Sequence, residues 1–187
     1  MFKTLNRKIK TKVLSMKTDT QSGFMSILPF FDSETLTNLY LYSMDNEVQI
    51  GIDEIVKTEQ WKNAKRINCD FYALNMTVED ICHVSEFYGK MLHISTRDLD
   101  FLKKTFTTSF KSVSWELHIR NFNRNEEISN LWGPAFIRES SRHWYFRIKD
   151  SNEECLKLKL RSNTFNFKFI KLNDVPNRAI VHNYNEN

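Results

Sequence analysis

The stretch IVKTEQWKNAKRINCDFY (residues 55–72) combines two patterns that together indicate the fold. Ile55, Val56 and Glu59 recur at helical spacing, whereas apolar and polar residues alternate from Arg66 onward, as they do in a β-strand. The Lys and Asn residues that follow Trp61 favour the end of a helix, where positive charge and Asn are stabilising. We therefore predict a helix that ends soon after Trp61 and runs through a short turn into a strand.

The alternating pattern recurs along the first two thirds of the chain, in residues 13–16, 38–42, 66–71, 91–95 and 113–119. These segments lie 23–28 residues apart, and the intervals between them have helical spacing. In one interval, Thr77 and Asp80 resemble the start of a helix and Gly89 its end; in the next, Leu99, Leu102 and Phe106 recur at helical spacing. Strands and helices that alternate at this period are typical of leucine-rich-repeat solenoids. We predict an α/β fold, a leucine-rich-repeat-like solenoid of alternating strands and helices with a parallel sheet. A doubly wound α/β domain is the alternative.

Three further alternating runs follow residue 138: HWYFRI, CLKLKL and FNFKFIKL. Polar turn sequences separate them, so they predict an antiparallel meander that caps the solenoid. The expected organisation is a basic segment over residues 1–10, a main domain over 11–172 and a polar tail over 173–187. Within that domain, the repeats span about 11–138 and the antiparallel cap about 142–172.

The charge of the chain is mixed, with 27 basic and 23 acidic residues among 187 and a net charge of +4. This balance argues against nucleic acid as the partner, since nucleic-acid-binding domains concentrate their basic excess. Nucleic-acid binding stays open as an alternative because a basic stretch lies near the start of the chain: Lys3, Arg7, Lys8, Lys10 and Lys12. No apolar run is long enough to span a bilayer and no signal-peptide pattern begins the chain, so we expect no membrane partner and an intracellular, cytoplasmic or nuclear, location.

The sequence predicts no catalytic, cofactor-binding or metal site. It contains no phosphate-binding glycine loop, no HExxH and no GxSxG, and Cys69, Cys82 and Cys155 form no CxxC pair. Cys82 and His83 are a candidate nucleophile and base, but adjacent helical positions point about 100° apart. We therefore expect a protein that is not an enzyme and binds no cofactor.

The side chains that alternate away from the core provide the candidate binding site. Tyr and Arg are enriched at the energetic centres of protein interfaces, and this face of the predicted sheet carries both. The alternative is that the C-terminal strands or solvent cover it. The candidate partner-binding residues are Tyr40, Tyr42, Arg66, Asn68, His93 and His118.

Five blocks of the chain resemble the FTH domain, which forms the C-terminal part of a large family of nematode F-box proteins. They are ILPFFDSETLTNLYL (27–41), IVKTEQWKNAKRINC (55–69), VEDICHVSEFYGKMLHIS (78–95), DLDFLKKTF (98–106), and LWGPAF followed by HWYFRI. The resemblance covers roughly residues 10–172, and it departs from the expected pattern where His83 is followed by Val84.

The resemblance implies recruitment of a target protein for a cullin-based ubiquitin ligase, to which the F-box itself docks. No F-box segment precedes the domain in this sequence. We therefore expect a module that binds a protein target without docking to the ligase, with the ligase adaptor as a partner only if an F-box is supplied elsewhere. A truncated paralogue with little activity is the other possibility that this departure raises.

Overall fold

The computed structural model describes residues 7–45, 47–109, 112–122 and 125–184. The chain divides into two compact units, residues 1–92 and 93–187. Each unit is described by itself below.

The first unit contains five strands and two short α-helices. Their bounds are β1 (Val13–Lys17), α1 (Gln21–Met25), β2 (Asn38–Tyr42), β3 (Gln49–Gly51), α2 (Glu59–Lys62), β4 (Arg66–Leu74) and β5 (Glu86–Met91). A single turn of 3-10 helix at Leu28–Phe30 lies between α1 and β2.

The strands of the first unit are parallel and neighbour one another in the order β1, β2, β4 and β5, with β3 paired to the second half of β4. Alternation divides β1, β2, β5 and the first half of β4 into a buried and an outward set, as the burial of Leu39 and Leu41 on β2 shows. Ile67, Cys69 and Phe71 continue this buried set on β4. One face of the sheet therefore forms the core of the unit.

Threonine caps begin both helices of the first unit. The Thr20 hydroxyl accepts a hydrogen bond from the Gly23 backbone N–H (3.1 Å), and the Thr58 hydroxyl accepts one from the Trp61 backbone N–H (3.2 Å). Both helices end within about one turn, so turns rather than helices make most of the connections between the strands.

The second unit contains six strands and two longer helices. Their bounds are α3 (Thr96–Ser109), β6 (Ser114–Ile119), α4 (Asn125–Trp132), β7 (Phe136–Arg138), β8 (Ser141–Arg147), β9 (Glu154–Arg161), β10 (Thr164–Lys171) and β11 (Val181–His182). Strands neighbour one another in the order β6, β10, β9, β8 and β11, and β7 pairs with β8. All of these pairs are antiparallel except that between β8 and β11.

Aromatic side chains fill the core of the second unit. Phe106 of α3 contacts Trp115 and Phe167 edge to face, with ring centroids 4.7 and 5.4 Å apart. Trp132 of α4 contacts Trp144 and Phe146 in the same way, at 5.8 and 5.5 Å. The helix predicted from the spacing of Leu99, Leu102 and Phe106 is therefore present, and all three side chains are buried.

The predicted leucine-rich-repeat-like solenoid is wrong. The first unit is a parallel sheet whose described strands are joined largely by turns, and the second is a mostly antiparallel sheet with two helices. The C-terminal strands do not close the end of a repeat array, because β10 pairs directly with β6 and continues its sheet. Periodicity misled the prediction because apolar residues at helical spacing also occur in capped turns that pack against a core.

The clearest local error lies in residues 77–95. Thr77 and Asp80 make the contacts of a helix cap, with the Thr77 backbone N–H donating to Asp80 Oδ2 at 2.8 Å, but only turns follow. The strand is β5, not the predicted 91–95. Gly89 does not end a helix: it lies on the buried face of β5, where a Cβ would lie 2.5 Å from Phe87 Cζ.

The basic N-terminal stretch is only partly described, since Lys3 lies outside the described residues. Ile9 forms a parallel bridge with Phe31, and its carbonyl accepts a hydrogen bond from the Asp32 backbone N–H (2.9 Å). Residues 9–12 are thus attached to the first unit. Within the described part of the chain, no helix is both long and apolar enough to cross a membrane.

Candidate functional site

The outward side chains of β2, β4 and β5 form a polar face on the sheet of the first unit. Parallel register places Asn38, Arg66 and Glu86 in one row, and Tyr40, Asn68 and Tyr88 in the next. We call this set the polar face: Tyr40, Tyr42, Arg66, Asn68, Asp70, Glu86, Tyr88 and Lys90. All eight are intermediate in exposure, in contrast to their buried neighbours along the strands.

Arg66 connects three strands across this face. Its guanidinium contacts the Glu86 carboxylate on β5, and its Nη1 donates to the Tyr40 hydroxyl on β2 at 3.4 Å. The hydrogen bond to Tyr40 and the contact with Glu86 together raise the pKa of Arg66. The Arg66 side chain remains 43% exposed, so its contacts orient the guanidinium without removing it from solvent.

A second ion pair depends on an irregularity in the register. Between Asn68 and Tyr72, β4 has extra residues relative to β5, and this shift brings Asp70 Oδ1 within 2.9 Å of Lys90 Nζ. The Lys90 side chain is only 15% exposed. Burial alone would lower the pKa of Lys90, but the Asp70 carboxylate outweighs burial and the pKa is raised.

Asn68 lies between these two ion pairs. Its Oδ1 is buried and has no hydrogen-bond donor among the described residues. An unsatisfied buried carbonyl costs about 1–3 kcal/mol, so a donor that reached it would be favoured. An unsatisfied acceptor therefore lies at the centre of the polar face.

Four of the six predicted site residues lie together on the polar face: Tyr40, Tyr42, Arg66 and Asn68. The other two do not belong to it. His93 is exposed and follows β5 outside any strand, and His118 lies on β6 of the second unit, with its Nδ1 3.2 Å from the Thr164 hydroxyl.

The prediction missed Glu86, Tyr88 and Lys90, which complete the polar face. Their alternation with Phe87 and Gly89 is a strand signal, but Gly89 was interpreted as a helix stop.

Trp61 and the neighbouring Cys82 and His83 have structural contacts. The Trp61 indole N–H donates to the Asp80 carbonyl (2.7 Å), and His83 Nε2 lies 3.1 Å from the Trp61 carbonyl. Cys82 Sγ is directed instead to the Glu79 carbonyl at 3.4 Å, and burial together with the charge of Glu79 raises the pKa of the thiol. The geometry therefore does not pair Cys82 with His83 as nucleophile and base.

The other two cysteines are buried, Cys69 in the first unit and Cys155 in the second. Burial raises the pKa of both thiols, that of Cys155 to about 11. Among the described residues, no group of three or more His, Cys, Asp and Glu side chains is arranged to hold a metal ion.

Comparison with family models matches residues 1–134 to the FTH domain. The chain belongs to the FTH domain family. No curated protein and no solved structure matches it.

The matched FTH stretch contains the whole of the first unit and continues through α4 of the second. The polar face therefore lies entirely within the FTH stretch. Strands β7 to β11 follow the matched residues, and they supply five of the six strands of the second unit.

Proposed function

We propose that this chain is a protein-interaction module that binds a protein partner through the polar face of its first unit. The observation that carries the proposal is a parallel sheet with one face buried and the other accessible. Parallel sheets in globular domains are ordinarily covered on both faces. An accessible face with Tyr and Arg side chains therefore fits a surface that a partner covers.

The electrostatics of the polar face favour a protein partner. The face carries two acidic and two basic side chains, joined as the pairs Arg66–Glu86 and Lys90–Asp70. A nucleic acid would instead require an excess of positive charge. Tyr40 and Tyr42 supply aromatic area beside the charges, and such residues dominate the binding energy of many protein interfaces.

Membership in the FTH family supports a recruiting role. The resemblance noted above connects this domain with F-box proteins that present targets to cullin-based ubiquitin ligases. In that setting, the polar face would hold the target, and the ligase adaptor would be a partner wherever an F-box is supplied. The proposal includes no catalytic step.

A matched pair of variants tests the polar face. Arg66→Ala/Glu86→Ala removes an exposed ion pair from the face, and Glu54→Ala/Lys57→Ala removes an exposed ion pair (2.7 Å) elsewhere in the first unit. Both changes leave the net charge unaltered. Partners captured by the wild-type chain and identified by mass spectrometry should be lost from the first variant and retained by the second.

A third variant, Tyr40→Ala/Tyr42→Ala, tests the aromatic part of the same face. We expect it to lose the same partners while circular dichroism and thermal melting show a folded chain. A specific partner that binds all three variants equally would show that the polar face is not the binding surface.

A further inference from the structure

The second unit has an outward face of a different kind on β9 and β10, and it adjoins buried side chains of β8. Lys157 and Lys168 are directly opposite each other across the pair β9–β10, and Lys159 lies two residues further along β9. On the other side of β9, Tyr145 and His143 of β8 are opposite Lys157 and Lys159. We call Lys157, Lys159 and Lys168 the lysine face.

The charges of the lysine face are not compensated. None of the three lysines forms an ion pair with any acidic side chain in the described part of the chain. Side chains that are directly opposite across two strands are near neighbours, and like charges in such pairs destabilise a sheet. Burial and then the charges of Lys159, Arg138 and Lys168 lower the pKa of Lys157.

A buried polar atom adjoins these lysines. His143 is 7% exposed, and its Nδ1 is buried without a hydrogen-bond partner among the described residues. Its ring stacks on Tyr145 at 6.5 Å, beside the lysines. The face thus combines ammonium groups that repel one another with a buried imidazole nitrogen that has no partner among the described residues, and an anionic ligand would reduce the repulsion between the ammonium groups.

We propose that the lysine face binds an extended, acidic segment of a protein partner, with carboxylates at alternate positions. Alternate residues of an extended peptide lie about 7 Å apart, which is the spacing of Lys157 and Lys159 on β9. A peptide aligned with the strand would therefore place successive carboxylates on successive lysines, with Lys168 reaching the same carboxylate as Lys157. This surface lies in the second unit and is separate from the polar face.

The chemistry of the face favours carboxylates over a nucleic acid or a phosphate. Single-stranded nucleic acids use exposed aromatic rings for stacking, but Tyr145 and His143 are only 2% and 7% exposed. Bidentate recognition of a phosphate uses Arg forks or unpaired backbone N–H groups, whereas Lys acts as a point charge on phosphate and carboxylate alike. Three lysines supply most of the charge here, with Arg138 of β7 close enough to lower the pKa values of His143 and Lys157, and β9 and β10 are each paired on both sides.

Fluorescence anisotropy with the full chain tests the proposal. The probe is a labelled peptide with glutamates at alternate positions, and three comparison probes are its glutamine analogue, a serine-phosphorylated peptide and a single-stranded oligonucleotide. We expect the alternating glutamate peptide to bind most tightly and its affinity to fall as salt is raised. Failure of the wild-type chain to bind this peptide at low salt would overturn the proposal, as would tighter binding of any of the other three probes.

Two double variants locate the binding. Lys157→Gln/Lys168→Gln removes two charges from the lysine face and should weaken binding ~10-fold, as expected for the loss of two exposed ion pairs. Lys12→Gln/Lys65→Gln removes two exposed lysines that flank Thr37 in the first unit and should leave the affinity within about twofold. Equal losses in both variants would show that binding reflects net charge alone and would overturn the proposal.

A readout from the wild-type chain does not depend on the variants. Burial and the charges of Lys157, Lys159 and Arg138 outweigh the opposing charge of Glu139 and hold the pKa of His143 at about 4. Carboxylates bound to those lysines should raise this pKa in an NMR titration, and the glutamine peptide should not. A His143 pKa that does not change in the presence of saturating glutamate peptide would place the peptide elsewhere and overturn the proposal.

Discussion

Basic side chains on the outward face of the first unit have acidic partners, whereas those on the lysine face of the second unit have none among the described residues. On the first unit, Arg66 and Lys90 each have an acidic partner on a neighbouring strand. On the second unit, Lys157 and Lys168 are opposed across two strands, and neither has an acidic partner among the described residues. The two faces are built on similar alternation, so the difference lies in which residues the register brings together.

In the interior of the second unit, by contrast, a buried lysine has an acidic partner. Lys103 of α3 is fully buried, with its Nζ 2.9 Å from Asp100 Oδ1 and 5.2 Å from the centre of the Phe146 ring. Burial alone would raise the pKa of Asp100, but Lys103, Lys104 and the Trp132 indole N–H outweigh burial and lower it. In the second unit, the buried Lys103 thus has a counter-charge, whereas the three lysines of the lysine face have none among the described residues.

Burial decides how strongly an unpaired charge affects stability. A buried charge without a partner is strongly unfavourable, whereas exposed charges are screened by water and salt. Uncompensated lysines are therefore tolerated on an outer face at a small cost in folding free energy.

Breaking the buried ion pair between Lys103 and Asp100 should lower the free energy of unfolding most. Asp100→Asn keeps an acceptor for the Trp132 indole N–H but leaves the Lys103 ammonium buried without a counter-charge. We expect the free energy of unfolding to fall by ~3–5 kcal/mol, as measured by urea denaturation. Lys103→Met, which removes the charge and retains an apolar chain of similar length, should cost far less, and equal losses from the two variants would contradict this account.

Lowering the pH should have the next largest effect on the free energy of unfolding, because the fold lowers the pKa of His143. The ordinary pKa of histidine is about 6.5, and in the fold that of His143 is lowered to about 4, chiefly by burial. Below pH 6.5 the unfolded chain therefore binds a proton that the folded chain does not bind until about pH 4. The free energy of unfolding should fall across this window, by roughly 3 kcal/mol at its lower end.

The variant His143→Phe keeps a ring beside Tyr145 but cannot titrate. Urea denaturation at a series of pH values should show a shallower loss of stability between pH 6.5 and 4 than in the wild type. An unchanged pH dependence would mean that His143 is already protonated in the folded chain at mildly acidic pH.

Removing exposed charges should change the free energy of unfolding least, and the sign of the change should differ between the polar face and the lysine face. Arg66→Ala/Glu86→Ala removes an attractive exposed pair and should cost at most ~1 kcal/mol. Lys157→Gln/Lys168→Gln removes a repulsion and should leave the stability equal or raise it by a few tenths of a kcal/mol. Both effects should shrink in 1 M salt, and a clear loss of stability in the lysine variant would show that those lysines have stabilising partners.

Local patterns predicted those parts of the fold that depend on neighbours in sequence. The alternation of NLYLY and RINCDF correctly identified the outward positions Tyr40, Tyr42, Arg66 and Asn68. The spacing of Leu99, Leu102 and Phe106 correctly predicted α3, whose capping contacts include the Asp98 backbone N–H donating to the Ser95 hydroxyl at 3.1 Å.

Other parts could not be predicted from local patterns. Thr77 and Asp80 form a helix cap without a helix, because the chain turns within a few residues and enters the sheet at Glu86. Gly89 occurs where a helix could end, but it is present because the Phe87 ring occupies the space of a side chain. In both cases packing, which local sequence does not contain, decided between two structures with the same local signal.

The sequence by itself determined which side chains alternate, which segments can be strands and which family the chain belongs to, because these depend on the order of residues alone. The tertiary structure decided the mixed sheet in place of a solenoid, since strand partners are chosen by burial over the whole unit. It also decided which charges meet. Arg66 finds Glu86 and Lys90 finds Asp70 only through the register of parallel strands, and Lys157 is placed opposite Lys168 only through the β9–β10 pairing.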